Sequence, residues 1–448
     1  MGVPGRRGVP AGLLDAERRF VTNLIQALKD PPYQRVWHHK AAELSEGAGM
    51  SKVTTALVIG GGVAGPVAAM ALRKAGIHAA LYEAYPTPAD GVGGSLAIAP
   101  NGLAALRTIG AEDAVLAVAR PISRMVMVVG TKRILEQPGL PGLPPLQLLW
   151  RADLHRALHD RAVAQGIPIT HGKRLVDAEE TASGVTARFA DGSHDRADVL
   201  IGADGIHSTV RTLIDPDAPH PQYTGLLGFE ALADYQVPEA PDAIVYVFGR
   251  RGYYLYRARP GGGTEWGANL PQDRPMSLAE ARQVPAADWL RILREAYADD
   301  VPGGELIQHT SPDRLQVLGS LRIMPRVPRW HRGRIVLVGD AVHAPSNTSG
   351  QGASLAIESA VELARCLRDL PDAPSAFAAY ERLRRARVER IAARATSANH
   401  AKAPGPVARA LMPLLMPIMM KTVMAPERTL APVQRYQIDW DEPATAAR

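Results

Sequence analysis

The sequence predicts an α/β protein in which a mostly parallel sheet, assembled from separated stretches of chain, is interleaved with an antiparallel β-sheet domain, with helices at the C-terminal end. Three observations predict it. An apolar strand runs into Gly60-x-Gly62-x-x-Gly65 and then into an apolar helix. Residues 243–269 alternate in the manner of strands joined by glycine turns. From Arg334 onward, strand, glycine and long apolar helix follow one another again.

Each part of the first unit has a physical task. Gly60 allows a tight turn, Gly62 lets backbone approach a pyrophosphate, and Gly65 lets the helix pack on the strand. Val63 and Ala64 would present amides at the helix start, where the dipole favours phosphate. Glu83 closes the next strand, about twenty residues on, where a carboxylate accepts hydrogen bonds from a ribose diol. Strand, glycines, helix and acid in register form a Rossmann-like dinucleotide fingerprint.

The remaining elements follow in order. Residues 91–102 form a glycine-rich connector into a helix over Leu103–Thr108, and residues 121–148 hold short strands around a Pro/Gly cluster. A helix begins at Trp150, with Asp153 in its first turn. Strand-type segments occupy 167–171, 184–189 and 198–201. Strands at 243–248, 253–257 and 265–269 make a meander, whose tyrosines suit either an organic ligand or cross-strand packing; a helix over 287–298 follows. Strand 335–338 ends at Gly339-Asp340, and a long helix starts at Ala353.

Composition bounds the function. At 448 residues, with 46% hydrophobic and 21% charged residues, the chain suits a globular protein of two or three domains. The net charge of +6 is scattered. Its densest cluster, Arg382–Arg387 continuing to Arg390 and Arg394, reads as a solvated helix face and lacks the aromatics of a nucleic-acid groove. The single cysteine, Cys366, excludes an internal disulfide framework and fits a reducing, cytoplasmic setting. No uninterrupted apolar run is long enough for a transmembrane span. The Met-rich stretch 407–421 is broken by Arg409 and two prolines, and suits a packed helix or, alternatively, a lid or peripheral membrane contact. Residues 1–50 read as an extension preceding the folded part, with Met50 a candidate functional start.

Three segments together resemble the class A flavoprotein monooxygenases, the family with the para-hydroxybenzoate hydroxylase fold. They are the glycine triplet with Glu83, Asp198-Val-Leu-Ile-Gly-Ala-Asp204-Gly-Ile-His-Ser-Thr-Val-Arg211, and the segment from Gly333 through Asp340 to Gly350-Gln351-Gly352-Ala353-Ser354. The resemblance covers about residues 53–400. It implies an FAD-binding domain at 51–125, 149–218 and 329–400, a substrate domain at 126–148 and 219–328, and a helical tail at 401–448. It further implies that Asp340 holds the flavin's ribityl chain, that Gly350–Ser354 face the isoalloxazine, that Arg151 contacts the flavin, and that Leu175 meets the adenine through its main chain. Asp204 and Arg211 match a motif associated with the flavin phosphates and with transient NADPH or NADH binding. His343 is read as packing beside Asp340 rather than as a proton shuttle.

The implied activity is oxygenation of a small hydrophobic organic substrate by O2: hydroxylation or epoxidation through a flavin C4a-hydroperoxide, with FAD reduced by NAD(P)H. The cofactor carries the chemistry, so neither a side-chain nucleophile nor a metal site is expected. One departure stands out: the family's proline beside the flavin ring is replaced by Asn347, with Pro345 two residues earlier. Two alternatives remain at this level. One is a flavin-dependent reductase or dehydrogenase of an isoprenoid-like substrate, the other a protein that binds FAD without catalysis.

Overall fold

The structure, a computed structural model, describes residues 52–87, 93–249, 252–400 and 425–444. The expectations for residues 1–50 and for the Met-rich stretch 407–421 lie outside the described residues.

The strand Thr55–Ile59 is buried from Ala56 onward because it lies inside a six-stranded sheet. The order is His331–Arg332, Ile335–Leu337, Val199–Gly202, Thr55–Ile59, His78–Tyr82 and Ile169–Thr170. All neighbours are parallel except the antiparallel edge pair. Register decides the outcome: Ile59 lies opposite both Gly202 and Tyr82, and Gly202 lies opposite Leu337. Four strands from distant parts of the chain therefore end level, and their following loops share one edge. The helix Ala64–Lys74 buries every residue from Ala64 to Leu72, and its small side chains let it lie close to the sheet. The helix Gly352–Asp369 is buried almost throughout and joins the same core.

The second sheet has seven strands in the order Leu315–Ile323, Gln222–Ala233, Thr264–Pro271, Tyr253–Ala258, Ala243–Phe248, Arg124–Val129 and Lys132–Pro138. The expected meander is present. The excursion at 121–148 adds two strands at one end of it, and Arg124–Val129 pairs in parallel with Ala243–Phe248, so the sheet is mixed rather than wholly antiparallel. Side chains alternate between faces. Phe229, Tyr254, Tyr256 and Trp266 pack under the helix Ala286–Tyr297, with Phe229 and Trp289 ring centroids 5.1 Å apart. The opposite face carries Glu230, Tyr246, Tyr253, Leu255, Arg257 and Glu265, as the cross-strand register shows.

A three-stranded sheet of Ser95–Ile98, Leu146–Trp150 and Arg120–Ile122 covers part of that opposite face through Ile122, Leu148 and Ile244. The glycine-rich connector therefore contains a strand, Ser95–Ile98, and the helix after it starts earlier than expected, at Pro100. A further antiparallel sheet, His194–Ala197, Gly184–Phe189 and Leu175–Thr181, was only partly expected, because its outer strands are too polar to stand out.

The arginine cluster is corrected. Arg384 is wholly buried and pairs with the equally buried Glu358, to which Arg387 also donates at 2.8 Å. Arg385 stacks 5.0 Å from the Trp330 ring centroid. These cations face inward because helix Gly352–Asp369 presents a buried carboxylate to them, and an unpaired buried charge is costly. The segment 425–444 seals this region, with the Arg387 guanidinium 3.9 Å from the centroid of Tyr436.

Candidate functional site

The glycine loop is built as the motif requires. Gly60 has φ of +104°, and a Cβ there would lie 2.5 Å from the Ala203 carbonyl oxygen. At Gly65 a Cβ would collide with the Gly60 carbonyl oxygen, so only glycine lets this helix approach. Gly62 faces open space instead. Val63 precedes a helix with neither a side-chain cap nor an acid in its first turn, so the amides at Ala64 and Gly65 are not claimed by a side chain. Glu83 accepts from the Gly61 amide at 2.6 Å and the Tyr85 amide at 2.8 Å, which holds the carboxylate at the loop's rim.

Asp340 sits in a one-turn 3-10 helix, Gly339–Ala341, at the carboxyl end of its strand. Burial raises its pKa and the charge of Arg151 opposes the rise; no hydrogen bond contributes. The residue keeps partial exposure at the end of its strand. Arg151 starts the helix Arg151–Ala164, donates its amide to the Gly94 carbonyl at 3.0 Å, and lays its side chain along Gly93.

Gly350 takes a left-handed conformation at φ +57° and turns the chain into helix Gly352–Asp369, whose start has no side-chain cap and no first-turn acid. Gly352, Ala353 and Ser354 therefore offer backbone amides. The Ser354 hydroxyl is occupied, accepting from the Ala99 amide at 3.0 Å. Gln351 is fixed by Asn101, whose amide nitrogen donates to Gln351 at 3.0 Å and to Glu358 at 2.6 Å. Asn347 begins a short turn capped by the Ser346 hydroxyl, so this loop is shaped by Ser346 and Pro345 where the family uses proline.

Asp204 and Arg211 both make bonds within the protein. Asp204 accepts from the Ser208 hydroxyl at 2.5 Å and the Val210 amide at 3.0 Å; burial raises its pKa against those bonds. It clamps its own turn. Arg211 is only 2% exposed, and it donates to the carbonyls of Ile206 and Ala341, each at 2.9 Å. The inward guanidinium braces the Ile206 loop against the Ala341 turn, and its buried Nε has no hydrogen-bond partner. Leu175 buries its side chain and leaves only main chain for an adenine. His343 is buried, with its Nε2 2.9 Å from the Ser359 hydroxyl, and burial together with Arg384 lowers its pKa to about 3. A ring held neutral matches the packing reading.

Sequence reasoning missed Glu230, Asn101 and Glu358. Glu230 and Asn101 are lone polar residues in apolar stretches, and that contrast was the signal available for them.

The arrangement fits a dinucleotide flavin. Open space stands over Gly62, two helix starts lack caps, and the partly exposed Asp340 has acceptors for ribityl hydroxyls beside the Arg151 cation. Fold and site together define a flavin-binding α/β protein with a separate substrate sheet. The chain belongs to the family described as FAD binding domain, matched over residues 53–395, and within it to the class A flavoprotein monooxygenases. It is an FAD-dependent monooxygenase. It is 30% identical to the FAD-dependent urate hydroxylase of Klebsiella pneumoniae, over 70% of this chain and 81% of that one. It is 31% identical to the 3-amino-4-hydroxybenzoate 2-monooxygenase of Streptomyces platensis, over 69% and 78%. The crystal structure of Klebsiella pneumoniae HpxO complexed with FAD and uric acid superposes with a TM-score of 0.70 at 27% identity, covering 80% of this chain and 90% of that one.

Proposed function

We propose that this monooxygenase inserts one atom of O2 into a small, largely apolar organic ring, with NADPH or NADH as reductant. The observation that carries the reading is the adjacency of two surfaces. Gly93 packs against Arg151 and the next residue, Gly94, against Glu230, so the Arg151 end of the cleft adjoins the sheet face that also bears Tyr246, Phe248 and Tyr253. Tyr246 and Tyr253 stack with centroids 6.3 Å apart, and Phe248 meets Tyr253 edge-on at 5.5 Å. All three are partly exposed, although burial raises the pKa of both tyrosines, as expected for the wall of an internal space. Relatives acting on urate and on an aminohydroxybenzoate support a ring-shaped substrate.

Bound FAD would supply electron transfer from the nicotinamide and activation of O2. In this reading Gly60–Gly65 and the helix at Ala64 hold the pyrophosphate, Glu83 the ribose, and Leu175 the adenine through its main chain. Asp340 holds the ribityl hydroxyls. The amides of Gly350–Ser354 and their helix dipole stabilise negative charge on the pyrimidine ring, by about 0.3–1 kcal/mol or more when buried. Arg151 orients the ring, and the tyrosine wall keeps water from the reacting face.

Among the described residues no helix is long and apolar enough to cross a membrane. The buried Cys366 thiol is pushed up to about 12 by burial, an inert group that suits the reducing cytoplasm we propose as its setting.

The test is a screen of small aromatic compounds for acceleration of NADPH-dependent flavin bleaching and oxygen uptake, followed by mass spectrometry for a gain of one oxygen atom. Substrate turnover that proceeds without oxygen would overturn the proposal in favour of a reductase.

A further inference from the structure

Glu230 lies in the longest strand of the substrate sheet, Gln222–Ala233, on the face turned away from the helix Ala286–Tyr297. Its neighbours Phe229 and Ala231 point into the core on the other side. Two glycines make room for it. A Cβ at Gly94 would lie 2.6 Å from a Glu230 carboxylate oxygen, and one at Gly267, directly opposite in the register, 3.3 Å from its Cγ. The Ser95 amide donates to one oxygen at 2.7 Å and the Ser95 hydroxyl to the other at 3.2 Å. A carboxylate has about four acceptor positions. Two are filled, and the side chain remains partly exposed. Its cross-strand neighbour Gln316 lines a groove of about 240 Å³ at the edge of the sheet, together with the adjoining Gly93 and with Arg282. Gly93 also packs against Arg151, so this carboxylate stands beside the proposed flavin edge.

Two of the cations at this end, Arg257 and Arg120, are committed to one carboxylate. Arg257 is 3% exposed and forms an ion pair with Glu265, which also accepts from Arg120 at 2.6 Å. The Glu265 cluster therefore keeps Arg257 and Arg120 from Glu230 and from a ligand.

We infer that Glu230 is a specificity-determining residue: it accepts a hydrogen bond from a ring hydroxyl or ring N–H of a substrate that carries no carboxylate. This rests on the monooxygenase reading for the location of the substrate. Burial pushes Glu230 up to about 7, with Ser95 and Arg257 opposing the rise and Glu265 adding to it. Near neutrality the group therefore both accepts from a donor and exchanges a proton with it. A carboxylate ligand would meet either like charge or a forced protonation. Rejection of molecules lacking the donor follows as well, because they leave a desolvated acceptor unpaired.

The test compares para-cresol, toluene and para-toluate as ligands of the FAD-loaded protein, titrated through the change in flavin absorbance, for the native chain, Glu230→Gln and Glu230→Leu. Flavin content and melting temperature establish that each variant is folded. The native protein is expected to bind para-cresol roughly tenfold more tightly than either other compound. Glu230→Leu should bind toluene as well as para-cresol, and both variants should gain affinity for para-toluate. Unchanged selectivity in both variants overturns the inference. Oxygen uptake is measured separately: loss of selectivity in a protein that never consumes NADPH would refute the reaction and spare Glu230, and the converse would refute Glu230 alone.

Discussion

The Arg211 guanidinium donates to the Ala341 carbonyl at 2.9 Å, joining the short helix Thr209–Ile214, which follows one parallel strand, to the turn that presents Asp340. The two residues are 130 apart in sequence, yet this bond sets the spacing of two walls of the cofactor cleft.

Arg211→Ala should therefore loosen the Asp340 turn. Loss of two buried charge-assisted bonds is expected to cost about 2–4 kcal/mol in a denaturant titration. FAD affinity should fall with it, while added nicotinamide cofactor binds as before.

Asp340→Ala removes the carboxylate read as binding the ribityl hydroxyls. FAD should bind roughly tenfold to a hundredfold more weakly, and the protein should purify pale. Stoichiometric yellow flavin in this variant would contradict the assignment.

Gly65→Ala drives a methyl group into the Gly60 carbonyl oxygen. The helix must retreat, with an expected loss of about 1–3 kcal/mol and a further loss of FAD affinity measured by equilibrium dialysis.

His343 links stability to pH. Its pKa falls from 6.5 to about 3 on folding, because burial and Arg384 disfavour the charged ring. The unfolded chain binds the extra proton between these values. The ring's contribution is complete above pH 6.5 and drains away as pH drops toward 3. The slope is about 1.4 kcal/mol per pH unit. His343→Gln should flatten that part of a stability profile followed by urea unfolding.

Glu358 behaves in the same direction for a different reason. Burial opposes its ionisation, but Arg384, Arg387 and Asn101 outweigh burial and hold its pKa below 4.5. Its contribution is present above about 4.5 and disappears as the carboxylate is protonated at lower pH. Glu358→Gln should cost about 3–5 kcal/mol at neutral pH, since Arg384 is then left buried without its partner. Loosening of Gln351 through Asn101 should appear as a shifted flavin absorbance band.

The cofactor half of the site was legible because its chemistry is carried by backbone. Gly60, Gly65, Gly350 and the uncapped helix starts at Ala64 and Gly352 are demanded by close approach and by dipoles, which local sequence specifies directly. Glu83 and Asp340 follow at strand ends by the same rule. The meander around 243–269 was legible from alternation and turns.

Side chains whose partners lie far along the chain were not legible. Arg211 reads as a ligand-binding cation until its carbonyl partners are placed around it, and Arg384 reads as a surface charge until Glu358 faces it. Glu230 is an isolated acid in an apolar strand; only the convergence of Ser95, Gly94 and Gly267 around it makes it a recognition group. Local geometry follows from steric rules written residue by residue. The destination of a charge depends on which elements pack together, because that packing sets both its desolvation and its partner.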